Sequence, residues 1–222
     1  MYYPIRFQLA FSHALGFPSG ILRNPTTNQN IKRKGRLRTV PGKEIMIDGR
    51  NVSIIKDVDD ANIVIINDRR FRGLTREDWK LVEQYLKGYV SDCYEIIETS
   101  EAVYIGTDFP SEYSGSESRI ALKGARKKAK ALASQGIPEL IKIAKSPRWE
   151  ANHEEKHSRD AKFGWYRYDI RFGIPVYDDQ TGILDRYNIF TAILLVKHSE
   201  DGNKYLHDIT TIKKETSSPL EQ

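Results

Sequence analysis

Apolar residues follow two different periods along this chain, and the change from one to the other divides it. Asn62 to Ile66 is a continuous apolar run that ends at Asn67-Asp68, which predicts a buried strand. Before it, Ile45, Ile47, Val52 and Ile54 alternate around Asp48-Gly49, a dipeptide suited to a tight hairpin turn. Thr75 followed by Asp78 reads as a helix N-cap, with Trp79, Leu81, Val82 and Tyr85 in the helix and Gly88 at its end. Tyr94 to Glu98 and Ala102 to Ile105 predict a second hairpin, and residues 109–116 a polar loop, of which Glu112-Tyr113-Ser114-Gly115-Ser116 has the look of a ligand loop or a simple linker. From Ser118 to Ala133 the residues Ile120, Leu122, Ala125, Ala129 and Leu132 follow roughly helical spacing. Gly136 stops that helix and Pro138 starts the next, through Ile143. A polar helical piece is expected over Trp149 to Ala161.

After Gly164 the period becomes two. Tyr166, Tyr168, Ile170 and Phe172 fall on one face of a strand, and Trp165, Arg167, Asp169 and Arg171 on the other. Turns at 178–182 and 199–202 separate two more strands, Tyr187 to His198 and Tyr205 to Ile212. Residues 165–214 therefore predict a three-stranded antiparallel meander. The expected fold class is α+β, with helices packed on an antiparallel sheet and a smaller β-rich region in front. Residues 1–67 (loop, basic run and hairpin) and 68–222 (the α+β domain) form the two regions, either separate or packed as one unit.

Charge adds a possible partner. The formal net charge is +5 over 222 residues, which permits a polyanion without requiring one. Residues 32–43 hold six Lys/Arg and no acid, and residues 119–150 hold nine against two Glu. Each stretch reads as a solvated face or as a phosphate-backbone contact. The single cysteine, Cys93, excludes an intrachain disulfide and reads as structural. The absence of a membrane-length apolar run or a signal-peptide pattern sets the expectation of a cytoplasmic protein with no membrane partner.

One string invites a metal. His153-Glu154-Glu155-Lys156-His157 matches H-E-x-x-H, in which two histidines one helical turn apart bind zinc. Here the surrounding residues are charged on every side and no third ligand is evident, so the match reads as incidental. No metal and no cofactor are expected. Neither a phosphate-binding P-loop nor a dinucleotide-binding glycine motif is present.

Several strings together resemble a known group. They are Asp68-Arg69-Arg70-Phe71-Arg72-Gly73-Leu74-Thr75, Tyr104-Ile105-Gly106-Thr107-Asp108-Phe109-Pro110, Lys156-His157, Asp160-Ala161 and Gly164-Trp165-Tyr166-Arg167-Tyr168-Asp169. Leu194-Leu195-Val196-Lys197-His198, Asp201-Gly202 and Ile212-Lys213-Lys214-Glu215-Thr216 belong with them. The set, over roughly residues 65–220, resembles domains of large polyvalent proteins of phages and mobile elements. That family is described as barnase–EndoU–colicin–RelE-like (BECR) nucleases. The resemblance implies helices followed by a four-stranded antiparallel sheet, a metal-independent endoribonuclease site, and a bacterial host cell.

Such cleavage needs a base for the 2′-hydroxyl, cations for the phosphate and an acid for the leaving oxygen. His157 is the candidate base or acid, with Arg167 and Arg171 as phosphate clamps. Surface roles compete at all three: an exposed histidine, and a strand face crossed by salt bridges. Lys123, Arg126, Lys127, Lys130, Lys156, Lys213 and Lys214 are the candidate nucleic-acid contacts. His207 reads as a satisfied sheet residue before a second acid/base, His198 as surface and Thr191 as core. The expected partner is RNA, tRNA included. The alternative is a non-catalytic binding protein of a phage or mobile element that masks a host defence protein or captures a nucleotide.

Overall fold

A computed structural model of the chain describes residues 39–40, 43–44, 49–57 and 59–215. The basic run at 32–38 and the apolar positions 45 and 47 lie outside the described residues. Thr39–Val40 (β1) and Lys43–Glu44 (β2) pair with each other. Val52–Lys56 (β3) and Asn62–Ile66 (β4) form an antiparallel hairpin, as do Cys93–Ile96 (β5) and Glu101–Tyr104 (β6). The expected meander is present as Trp165–Tyr177 (β8), Leu184–His198 (β9) and Lys204–Lys214 (β10). Lys145–Glu150 (β7) pairs with the first half of β8.

The sheet overturns the expected fold class. Eight strands form one curled, mixed sheet in the order β3-β4-β8-β9-β10-β6-β5, with β7 on β8. β4 lies parallel to β8, and β6 parallel to β10. Each flank of the antiparallel meander thus receives a hairpin through a parallel junction. The β-rich segment at 52–66 is one of these hairpins and not a smaller region in front of the sheet. Parallel strands must be joined by long crossovers, and the helices between residues 76 and 142 supply them. The apolar run of β4 fits this position, since a strand beside a parallel partner is covered on both faces. Val64 and Ile66 enter the main core, while Ile63 and Ile65 meet Ile189 in a second small cluster.

The helices are Arg76–Leu86 (α1), Phe109–Gly115 (α2), Glu117–Ala121 (α3), Gly124–Ala133 (α4) and Ile137–Lys142 (α5). The Thr75 hydroxyl accepts from the Asp78 amide, and the Asp78 carboxylate accepts from the Thr75 amide, which closes a capping box on α1. Trp79, Val82, Tyr85 and Leu86 bury one side of this helix in the main core. Trp79 Nε1 donates to the Gly73 carbonyl at 3.0 Å. Gly73 itself has φ +66°, and a Cβ there would meet the Ala131 Cβ at 2.6 Å. Only glycine fits this approach between α1 and α4.

Three further expectations change. The helix expected over 118–133 is two helices, because Leu122 is extended and Gly124 has φ +55°. Residues 109–115, expected as loop, are α2, with Pro110 in its first turn and Phe109 and Tyr113 buried. The helix expected over 149–161 is absent. Trp149 pairs with Tyr166 as part of β7, and only Glu155–His157 forms a single 3₁₀ turn.

Candidate functional site

The strongest polar cluster lies where β8, β9 and β10 meet α2 and the 151–164 segment. Register places Lys197 of β9 opposite both Trp165 of β8 and Tyr205 of β10, and directly opposed residues share a sheet face. Asp108 immediately precedes α2 and Glu112 lies one turn into it. The 151–164 segment is folded back by specific bonds. Trp149 Nε1 donates to the Phe163 carbonyl at 2.9 Å, and the amides of Phe163 and His198 donate to His198 and Gly164 at 3.0 Å. Gly164 has φ +90°, and a Cβ there would lie 2.6 Å from the Glu150 carbonyl. The return of the chain at this point requires glycine.

Lys197 is buried, yet it faces three carboxylates. It bonds Asp108 and lies 3.8 Å from Glu112 and 3.7 Å from Asp160. Burial works against its charge, but these carboxylates outweigh burial and hold its pKa above the ordinary lysine value. Burial pushes Asp108 up, and the Lys197 hydrogen bond outweighs it, so Asp108 stays below the usual aspartate range. Lys197 is therefore a fixed cation and no base.

Beside this group stand two imidazoles. The rings of His157 and His207 meet edge to face at 5.7 Å, and Trp165 packs against both, at 5.3 and 5.0 Å. His207 Nδ1 lies 2.6 Å from Glu112 Oε2. The two atoms lie within ion-pair distance but off hydrogen-bond geometry, so Glu112 Oε2 and His207 Nδ1 are both buried without a hydrogen-bond partner. His157 Nδ1 is buried without a hydrogen-bond partner. Burial, then the neighbouring His207 and Lys156, lower the His157 pKa, so the ring is held neutral at neutral pH. Each histidine keeps 17% of its side chain exposed. The set offers a neutral imidazole and a carboxylate-backed imidazole within one small patch, the pairing that proton transfer to and from one substrate needs. An open cleft of about 530 Å³ adjoins Lys197, lined by Asp108, Asp160, Asp201, Tyr104 and Tyr205.

The expected clamps do not join this patch. Arg167 is bound to Glu150 on β7. Arg171 is bound to Asp57 and Glu215, both at 2.8 Å. It also lies six residues along β8 from Trp165, which is about 20 Å of strand. Asp169 is paired with Arg148 at 2.7 Å. The competing expectation for this face, a strand crossed by salt bridges, describes it.

The basic residues separate similarly. Lys123, Arg126, Lys213 and Lys214 are exposed, while Lys127 donates to the Leu74 carbonyl at 3.1 Å. Lys156 is exposed and pairs with Glu154 at 3.0 Å. Lys130 is a correction. It is fully buried, with its ammonium on Asp208 at 2.7 Å and on Ser116 and Ser118 at 3.1 Å, and it cannot reach a phosphate.

His153 and His157 are not one turn apart on a helix, because residues 151–154 are irregular. No group of three metal-ligating side chains occurs among the described residues. No described helix is long and apolar enough to cross a membrane.

In the sequence Glu112 stands out only as the first residue of the 112–116 stretch, Lys197 only within a string of the resemblance, and His207 as a sheet residue before a second acid/base. Spacing carries no signal for them, since the three sit on separate elements between residues 112 and 207. Asp108, Lys156, His157, Asp160, Trp165, Lys197 and Asp201 all fall within the strings quoted above for the resemblance, and those strings meet here. No protein-family model, curated protein or solved structure matches the chain.

Proposed function

We propose that this protein is a metal-independent endoribonuclease acting in the cytoplasm of a bacterial host, with its chemistry at His157 and His207. The observation that carries this reading is the imidazole pair: two partly exposed rings 5.7 Å apart, with the Glu112 carboxylate 2.6 Å from His207 Nδ1. His157, kept neutral, takes the proton from a 2′-hydroxyl. His207, entering the reaction protonated on both ring nitrogens beside Glu112, delivers its Nε2 proton to the leaving 5′-oxygen and ends neutral, while His157 ends protonated. Lys156 lies beside the pair, and its exposed ion pair with Glu154 opens to supply positive charge for the phosphate, since Lys197 is buried among its carboxylates. Trp165 packs both rings in place. The phage or mobile-element origin belongs to this proposal through the resemblance alone.

The test is cleavage of total RNA and tRNA by the purified full chain in the presence of a chelator. His157→Ala and His207→Ala should each lower the rate by about 10²-fold or more, with circular dichroism unchanged. Intact RNA after incubation with wild-type protein sinks the reading.

A second reading rests on a different observation. Three carboxylates surround one lysine beside the 530 Å³ cleft, and surplus negative charge repels phosphate. This favours a non-catalytic protein that captures a partner carrying an amine or guanidinium. Wild-type protein that cuts no RNA but binds such a group, and loses binding on Asp160→Asn, supports it.

A further inference from the structure

A second cleft, of about 300 Å³, lies between α4 and the far end of the β8–β9 hairpin. That volume is at the small end for ligand sites. Ile174 and Phe190 line it with buried apolar surface, and Tyr177 forms part of its wall, with the Arg69 guanidinium 5.2 Å from the ring centre. Lys128 of α4 and Asn188 of β9 complete the lining that matters here.

Two features of this cleft bear on what it can bind. The first is free positive charge. Arg50, Arg148, Arg167 and Arg171 are each bound to a carboxylate. Arg69 and Lys128 have no carboxylate partner among the described residues, although Asp179 also borders the cleft. The second is an idle amide. Asn188 Oδ1 is buried with no donor, and its Nδ2 makes no hydrogen bond either. A half turn of the carboxamide therefore costs no hydrogen bond and can present either group to the cleft. A polar side chain left without partners beside a cavity is open to a ligand with a matching edge.

An apolar floor, an aromatic ring with a guanidinium over it, an amide with donor and acceptor, and unneutralised cations together fit one chemical unit. We propose that this slot takes a single unstacked nucleobase of single-stranded RNA, adenine best, with the adjoining phosphates on Arg69 and Lys128. The base stacks on Tyr177 or on the guanidinium plane. The Asn188 carboxamide pairs with the adenine edge that offers one donor and one acceptor. This inference rests on the RNA reading above and gives it a positioning site. One helix joins the two places: α4, about 15 Å long, lines the slot at Ala125, Lys128 and Ala129, and its Lys130 is pinned to Asp208, next in sequence to His207.

The test uses the full chain and a fluorescein-labelled, 2′-O-methylated oligo(A) decamer, which can bind but cannot be cut. Asn188→Leu and the Arg69→Ala/Lys128→Ala double variant should each weaken binding about tenfold by anisotropy. Asn188→Leu should also erase a preference for oligo(A) over oligo(U). Lys128→Ala alone, on a partly exposed helix flank, guards against a folding artefact at Asn188. Unchanged binding in the double variant and in Asn188→Leu overturns the slot, as does wild-type binding without preference for oligo(A). Cleavage of unmodified RNA, measured in parallel, separates the two ideas. Wild-type protein that cuts RNA while the variants bind normally loses only the slot. Protein that binds oligo(A) through these residues and cuts nothing loses only the nuclease.

Discussion

Lys130 and Lys197 are both buried ammonium groups in the same domain, and they have opposite surroundings. Lys130 meets one carboxylate, Asp208, and two hydroxyls, Ser116 and Ser118, with the Tyr113 ring 4.9 Å away. Its three N–H donors have three acceptors and nothing is left over. Burial outweighs Asp208 and lowers the Lys130 pKa. Lys197 instead meets three carboxylates at the edge of an open cleft, and its pKa is raised. A closed pair of this kind holds α4 to β10. A cation with surplus carboxylate at a solvent-reachable edge leaves negative charge there that the fold itself does not neutralise. The lesson is that burial of a charge says little until its partners are counted.

The largest expected effect breaks the closed pair. Lys130→Met leaves Asp208 buried without a cation and should cost about 3–5 kcal/mol in urea unfolding. Restoring most of this loss with Lys130→Met/Asp208→Leu would show that the pair is structural only. Lys197→Met should cost less than Lys130→Met, because Asp108 and Asp160 can turn to water. Equal losses would erase the distinction between the two lysines.

Acid sharpens the same contrast. Asp108 has a depressed pKa in the folded state, so its contribution is present above the unfolded value and is lost as pH falls through the folded value. Lys197→Met should remove that part of the acid-induced loss of stability, whereas Lys130→Met should keep it. His157 is also depressed, from 6.5. The folded state then binds fewer protons than the unfolded one, so stability falls as pH drops below about 6.5. His157→Ala should flatten that slope in thermal melts at pH 5–7. A slope unchanged by the substitution would remove the case for a neutral His157.

The smallest effect concerns Arg167. Its ion pair with Glu150 is partly exposed, 38% on the arginine side, and exposed pairs contribute about 0–1 kcal/mol. Arg167→Ala should change stability by no more than that and should leave RNA cleavage at the wild-type rate. A hundredfold loss of cleavage would restore Arg167 as a phosphate clamp.

Much of the local structure was legible in the chain. Alternation placed the meander and its inward Tyr168, Ile170 and Phe172, which are buried. Thr75 and Asp78 marked the start of α1. These signals are local, and each records the direction in which a side chain must point. The partner of a strand leaves no such record. Alternation is the same in parallel and antiparallel strands, and so the mixed sheet was not visible. Lys130 looked like its exposed neighbours Lys123 and Arg126, because composition cannot show that Asp208, 78 residues away, waits beneath it.

The sequence by itself determined the periods, the caps, the glycine positions at 73 and 164, and the supply of His, Lys and carboxylate groups. The tertiary structure decided which of them meet. His157 is brought to His207 by the return of the 151–164 segment, and Glu112 to His207 by the docking of α2 against β10. Such encounters depend on how far-separated elements pack, an outcome of burying one shared core and not of any local pattern.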